Sequence, residues 1–306
     1  MSELESHLVH ERRNRPQGPS PVDLVSVQSQ LAYGYAGNSA AVPVLRMLGV
    51  RVAEVPTTLF SNTPFYDTLR GHVLPADWLA DLLAGLDERG VTARAPLLAS
   101  GYFGSVANGE AFADWLERNH AAGTAPRYLL DPVIGDTHTG AYVEPGLEAV
   151  FVQRLLPLAW MVTPNAFELE RLAGRPALLE SDALEAARSL LERGPEWVLA
   201  HSVASEAEDE ADDLVTLLVG REQAWRLRSP RLHVDVAGTG DVLTALMATF
   251  LLRGEAPQRA AERALAGVHA TLESTLANGW EELDVQAAPA AALADEGVAR
   301  FPAVAL

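Results

Sequence analysis

Apolar positions along the chain fall into two alternating patterns. Short runs rich in Val and Leu read as buried strands over Val22–Gln28, Arg51–Phe60, Pro96–Ser100, Arg127–Asp131, Trp160–Thr163 and Glu196–Ala200. Between them the apolar residues recur at helical spacing, as with Trp78, Leu79, Leu82, Leu83 and Leu86 within Pro75–Arg89. Further helices are expected over Ala107–His120, Leu147–Leu156 and Phe167–Ala173, and from a cap at Ser181 to Arg193. Asn38 is expected to cap a helix running to Leu48. Two late helices span Gly240–Arg253 and Pro257–Ala277.

Strands alternating with helices imply an α/β fold with a mostly parallel central sheet and helices on both faces. Leu214–Val219 and Gln223–Arg228 flank Gly220-Arg221-Glu222, which predicts an antiparallel edge hairpin. No repeat or interdomain linker interrupts the pattern, so residues 22–306 are expected to form one domain. The polar residues 1–21 are expected to be a flexible leader, since they lack the apolar centre of a signal peptide.

Composition narrows the function classes. The net charge of −18, from 41 acidic and 23 basic residues, disfavours nucleic-acid and anionic-membrane partners. No apolar run approaches the roughly 18 residues of a membrane span. There are no cysteines, which removes thiolate metal sites and Cys nucleophiles and is compatible with a cytoplasmic setting. The eight histidines form no HExxH or close ligand pair, and no GxSxG elbow is present. The acidic run Ser205–Asp213 reads as a solvated loop.

Candidate chemistry lies at predicted strand ends and one helix start. Gly238-Thr239-Gly240-Asp241 opens a helix, where free amides and the helix dipole favour an anion. Asp241 in that first turn can accept a proton from a substrate hydroxyl. Thr163-Pro164-Asn165-Ala166-Phe167-Glu168 places an amide and a carboxylate three residues apart. That pair can face a hydrated magnesium ion, and the same spacing is that of a capping box. Asp131 within Asp131–Asp136 ends a strand, either in a ligand crevice or in a Pro/Gly turn. Ser29 follows the first strand, with Tyr33 and Tyr35 nearby to flank an aromatic ligand.

The set QSQLAYGYAGNSAA, LFSN, SGYFGS, DPVIGD, TPNAFE and AGTGD, in this order, resembles the pyridoxal kinases of the ribokinase-like superfamily. The resemblance runs from Val22 to Asn278. It implies phosphorylation of the 5′-hydroxyl of pyridoxal by ATP, with pyridoxine and pyridoxamine as further substrates. It implies Asp241 as base and Gly238, Thr239 and Gly240 as anion hole. Ser29, Thr57, Phe60 and Tyr102 would face the pyridine ring. Asp131, Asn165, Glu168 and Thr239 would serve the ATP phosphates, with Asp131 and Glu168 meeting Mg2+ mostly through water. A homodimer and a monovalent cation such as K+ are also implied.

Two departures stand out. Gln30 occupies a place where many relatives carry His, and Leu199-Ala200-His201 stands where relatives often read Val-Lys-His. They bear on nucleotide affinity and substrate choice. The alternatives are a kinase for a related heterocycle such as hydroxymethylpyrimidine, and a non-catalytic binder of B6 vitamers.

Overall fold

The computed structural model describes Gly18, residues 20–206 and residues 212–306. Most of the expected leader and the middle of the acidic run lie outside the described residues.

A ten-stranded sheet organises the chain, in the order β12-β11-β10-β9-β8-β5-β4-β1-β2-β3. The central strands are β1 (Leu24–Leu31), β2 (Val52–Phe60), β4 (Leu97–Ser100), β5 (Arg127–Leu130), β8 (Met161–Val162) and β9 (Trp197–Ala204), all mutually parallel. The expected hairpin, β10 (Asp213–Gly220) with β11 (Ala224–Pro230), is antiparallel, and β10 also runs antiparallel to β9. Two short strands are additions to the expected set. β3 (Gly71–Val73) closes one edge against β2, and β12 (Val304–Ala305) covers the other against β11. A separate two-stranded ribbon joins β6 (Gly135–Asp136) to β7 (Gly140–Ala141).

Alternation along each strand feeds two cores, because successive side chains leave opposite faces of a sheet. Val25, Val27, Leu98, Tyr128, Leu130 and Val162 face one core. There they meet helices α2 (Ala76–Glu88), α3 (Val106–Ala121), α4 (Leu147–Val150), α5 (Ala166–Ala173) and α6 (Glu180–Leu191). Leu24, Leu97, Ala99, Leu129 and Met161 face the other. That face is covered by α1 (Asn38–Met47), α7 (Thr239–Leu252), α8 (Pro257–Asn278), α9 (Ala288–Leu293) and α10 (Asp295–Val298). Helix α7 carries a run of buried residues from Val242 to Phe250, which explains its apolar circumference.

Three local expectations are corrected. Ser181 does not cap α6: the helix begins at Glu180, Leu179 holds the cap position, and the Ser181 hydroxyl donates to Glu206. The stretch expected as one helix over Leu147–Leu156 passes from α4 into a π-turn over Phe151–Leu155 and a 3-10 turn over Leu156–Leu158. Asn38 lies inside α1 after Gly37, and its side chain is buried. Its Oδ1 accepts from Ser26 Oγ at 2.7 Å and its Nδ2 donates to the carbonyls of Gln28 and Val55. A buried amide with such partners serves the β1–β2 junction better than a helix end.

Candidate active site

Strand β1 sits between β2, its successor in sequence, and β4, so strand order reverses beside it. A crevice forms at such a switch point, outside the carboxyl ends of the strands. Most of the sequence-predicted residues gather along this end of the sheet.

On the β1 side, Ser29 lies within the strand rather than after it. The β1–β2 register slips between Gln28 and Gln30: Ser29 alone stands opposite Thr57 and Thr58, so β2 bulges beside it, a device that re-aims side chains. Gly37, at φ 55°, packs directly on it: an added Cβ would lie 2.3 Å from Ser29 Oγ. Across β2, the buried Thr57 donates from Oγ1 to the Tyr102 carbonyl at 2.6 Å. Its hydroxyl proton is therefore spent on holding the loop after β4. Asn108 of α3 braces the same loop by donating to the carbonyls of Phe103, Thr57 and Leu74. Tyr102 is half-buried, which raises its phenol pKa. Phe60 ends β2, paired with Leu31 and Gly71. Tyr33 is exposed, its ring 6.1 Å from that of Tyr66, while Tyr35 packs toward the α7 face.

The polar end of the site is built by α7. Gly238 precedes the helix at φ 90°, and a Cβ there would meet the Tyr35 carbonyl at 2.2 Å. Glycine is thus needed for both conformation and contact. The first backbone bond of the helix runs from Val242 N to the Gly238 carbonyl. Among the described residues the amides of Thr239, Gly240 and Asp241 have no backbone acceptor, the normal condition of a helix start. Asp241 Oδ2 accepts the Gly37 amide at 2.8 Å. Burial pushes the Asp241 pKa up to about 6, against the lowering effect of that amide.

Asp131, just beyond β5, is buried and faces this turn. Its Oδ2 accepts from Thr244 Oγ1 at 3.3 Å, and Thr244 is itself bonded to Thr163 Oγ1 at 2.9 Å. Burial raises its pKa well above the usual carboxylate range, and the negative charges of Glu168 and Asp241 add to that. Thr244, one turn into α7, is a participant that sequence reading missed. It looks like an ordinary polar residue in an apolar helix until the fold sets it against Asp131.

Asn165 and Glu168 form the complete capping box of α5. Glu168 is buried, and both its oxygens are engaged: Oε2 accepts the Asn165 amide at 2.9 Å and Oε1 the Ile134 amide at 3.0 Å. Asn165 Nδ2 donates to the Gly135 carbonyl at 2.8 Å. The box therefore ties α5 to the 131–136 turn. Burial raises the Glu168 pKa to about 8, opposed by the amides of Asn165, Ile134 and Gly135. Tyr142, after β7 and half-exposed, was also missed; partial burial and then the charges of Glu168, Asp131 and Asp241 raise its phenol pKa. The Ala200 side chain is fully buried in the core, while His201 lies at the rim with its amide bonded to the Pro164 carbonyl.

Three carboxylates thus cluster at one end of the crevice, and among the described residues none of them has a Lys or Arg partner. Among the described residues no three His, Cys, Asp or Glu side chains converge on a single metal position. A negative cluster of this kind suits a hydrated cation held chiefly through water and phosphate oxygens.

The profile of the phosphomethylpyrimidine kinase family matches residues 34–286. The pyridoxine/pyridoxal/pyridoxamine kinase of Bordetella bronchiseptica is 42% identical over 267 residues, 87% of this chain and 93% of that protein. This chain belongs to the pyridoxal kinase family. The pyridoxal kinase of Rubrobacter xylanophilus is 38% identical over 281 residues, 92% of this chain and 96% of that protein. In fold, the pyridoxal kinase of Leishmania donovani, in complex with ADP and pyridoxamine, superposes with a TM-score of 0.81 at 23% identity. That similarity covers 92% of this chain and 99% of the other. The ribokinase-like α/β architecture expected from the sequence is the one found.

Proposed function

We propose that this pyridoxal kinase family member transfers the γ-phosphoryl group of ATP to the 5′-hydroxyl of pyridoxal, and to the same position of pyridoxine and pyridoxamine. The observation that supports the reading is Asp241 beside three helix-start amides that, among the described residues, have no backbone acceptor, held by Gly37, which packs on Ser29.

In this reading the pyridine ring lies against Ser29, Thr57, Phe60 and Tyr102. Thr57 acts through the loop it anchors, since its hydroxyl already donates to Tyr102. Asp241 takes the proton of the 5′-hydroxyl as that oxygen bonds to the γ-phosphorus. The bond to the bridging oxygen breaks and ADP leaves. Charge on the transferred group is met by the amides of Thr239, Gly240 and Asp241 and by the positive end of α7. Gly240 leaves room for the group, because the nearest atom to a Cβ placed there is Asp131 Oδ2 at 3.8 Å.

Mg2+ bound with ATP would neutralise phosphate charge. Asp131 would hold it, mostly through water. Glu168, with both oxygens on backbone amides, would orient the 131–136 turn and would add its charge once the bound cation favours its ionised form. Asn165 would act with it, beside the phosphates. A monovalent cation such as K+, a homodimer, a single domain over residues 22–306 and a cytoplasmic location belong to the same proposal. Among the described residues no helix is long and apolar enough to cross a membrane.

A panel of pyridoxal, pyridoxine, pyridoxamine and hydroxymethylpyrimidine with ATP and Mg2+ tests the reading. Pyridoxal phosphate should form with one ADP per product. Preferential turnover of hydroxymethylpyrimidine would instead favour a kinase for a related heterocycle.

A further inference from the structure

Glu282 is a buried carboxylate outside the chemistry described so far. It lies between α8 and α9, yet it reaches two loops from the first quarter of the chain. Its Oε2 accepts the Tyr35 amide at 3.0 Å across 247 positions of sequence. Its Oε1 accepts from Thr63 Oγ1 at 3.2 Å. Gly34 is shaped to this contact: at φ 88°, its Cβ would stand 2.6 Å from the carboxylate. The Tyr66 hydroxyl is buried beside the same group.

The loop from Gly34 to Gly37 is also the one that supports the site. The Tyr35 carbonyl packs on Gly238, Gly37 packs on Ser29, and the Gly37 amide donates to Asp241 Oδ2. Thr63 lies in the connection between β2 and β3, which begins beyond Phe60. One carboxylate therefore joins the connection beside the ring-binding wall to the loop that orients the base.

We propose that Glu282 is a positioning residue that couples the 61–70 connection to the orientation of Asp241 through the Gly34–Gly37 loop. The kinetic part of this proposal rests on the kinase reading above. The structural part does not.

The test compares Glu282→Ala with Glu282→Gln in the full chain. Glutamine keeps an oxygen for the Tyr35 amide and offers an N–H to the Thr63 hydroxyl, so it should restore the tie. Glu282→Ala should lower kcat for pyridoxal at least about tenfold, as small misplacements of a reacting group do. It should raise KM for pyridoxal and leave KM for ATP within about twofold. The titratable groups that act on Asp241 are Asp131 and Tyr142, with Glu168 beyond them beside Asp131, and the Gly37 amide is the one that lowers its pKa. A loosened Gly37 should therefore move the acid limb of kcat to higher pH in Glu282→Ala and not in Glu282→Gln.

Amide exchange over residues 34–38 supplies a readout independent of turnover. It should quicken in Glu282→Ala and stay at the parental rate in Glu282→Gln. Should the parent fail to phosphorylate pyridoxal, the kinase reading falls while the exchange result still judges the tie. Unchanged exchange, kinetics and acid limb in a folded Glu282→Ala would overturn the proposal. So would a Glu282→Gln variant as impaired as the alanine. If the alanine variant does not fold, Thr63→Val decides: faster exchange over 61–70 with raised KM for pyridoxal supports the coupling, and parental behaviour refutes it.

Discussion

The amide of Gly37 donates to Asp241 Oδ2 at 2.8 Å, joining the loop after β1 to the first turn of α7. This bond fixes Oδ2 of the carboxylate; in the proposed reaction Oδ1 is the oxygen that meets the substrate hydroxyl. It also opposes the burial that raises the Asp241 pKa to about 6.

From that value follows the acid side of the rate profile. The base form is lost as pH falls through about 6, so kcat should decline below that point. Substrate and metal charge shift the midpoint, but the direction is fixed: protonation removes the base. A kcat that stays flat from pH 7 to 5 would contradict the assignment.

Stability should show the opposite trend. The folded-state pKa values of Asp131, Glu168 and Asp241 are all raised. Their favourable contribution is complete below the unfolded carboxylate range of about 4 and is lost as pH rises through the folded values. For Glu168 that window extends to about 8. Asp131→Asn should therefore raise the Tm of the ligand-free protein at pH 8 while lowering activity. The gain should shrink toward pH 4. Differential scanning calorimetry at several pH values measures it.

The two glycines of the α7 turn should respond differently. Gly238→Ala forces a side chain into φ 90° and against the Tyr35 carbonyl, so it should lower both Tm and activity. Gly240→Ala meets Asp131 only at ordinary contact distance. It should keep the parental Tm and lose activity, because the methyl enters the space given to the transferred phosphate. Equal melting losses in both variants would contradict this division.

Asn165 acts as a cap whatever else it touches. Asn165→Ala should cost about 1 kcal/mol, the usual value of such a cap, and the loss should persist without nucleotide or metal. Thermal unfolding of the ligand-free protein checks it.

Much of this arrangement was legible in the sequence, for physical reasons. Short apolar runs and helical spacing reported the buried strands and the helices that cover them, since burial imposes both. Strand-end motifs reported the crevice, because Asp131, Thr163 and Tyr102 stand where parallel strands finish. Other features depend on contacts far apart in sequence. Asn38 has the composition of a cap, but a hydroxyl and two carbonyls brought by β1 and β2 claim its side chain. Ser29 faces a bulge at Thr57 and Thr58 of β2 that the first strand alone does not reveal. Thr244 and Glu282 gain meaning only once α7 and α8 pack against the sheet. The strands β3 and β12 are too short to carry a pattern of their own.

The most direct measurement of the central claim is pyridoxal phosphate formation by the parent and by Asp241→Asn, each shown to be folded and to bind ADP. The amide preserves shape and the Gly37 contact but removes the base. The account predicts turnover by the parent and a loss of about 100-fold or more in the variant, with nucleotide binding retained. Near-parental turnover by Asp241→Asn would contradict it.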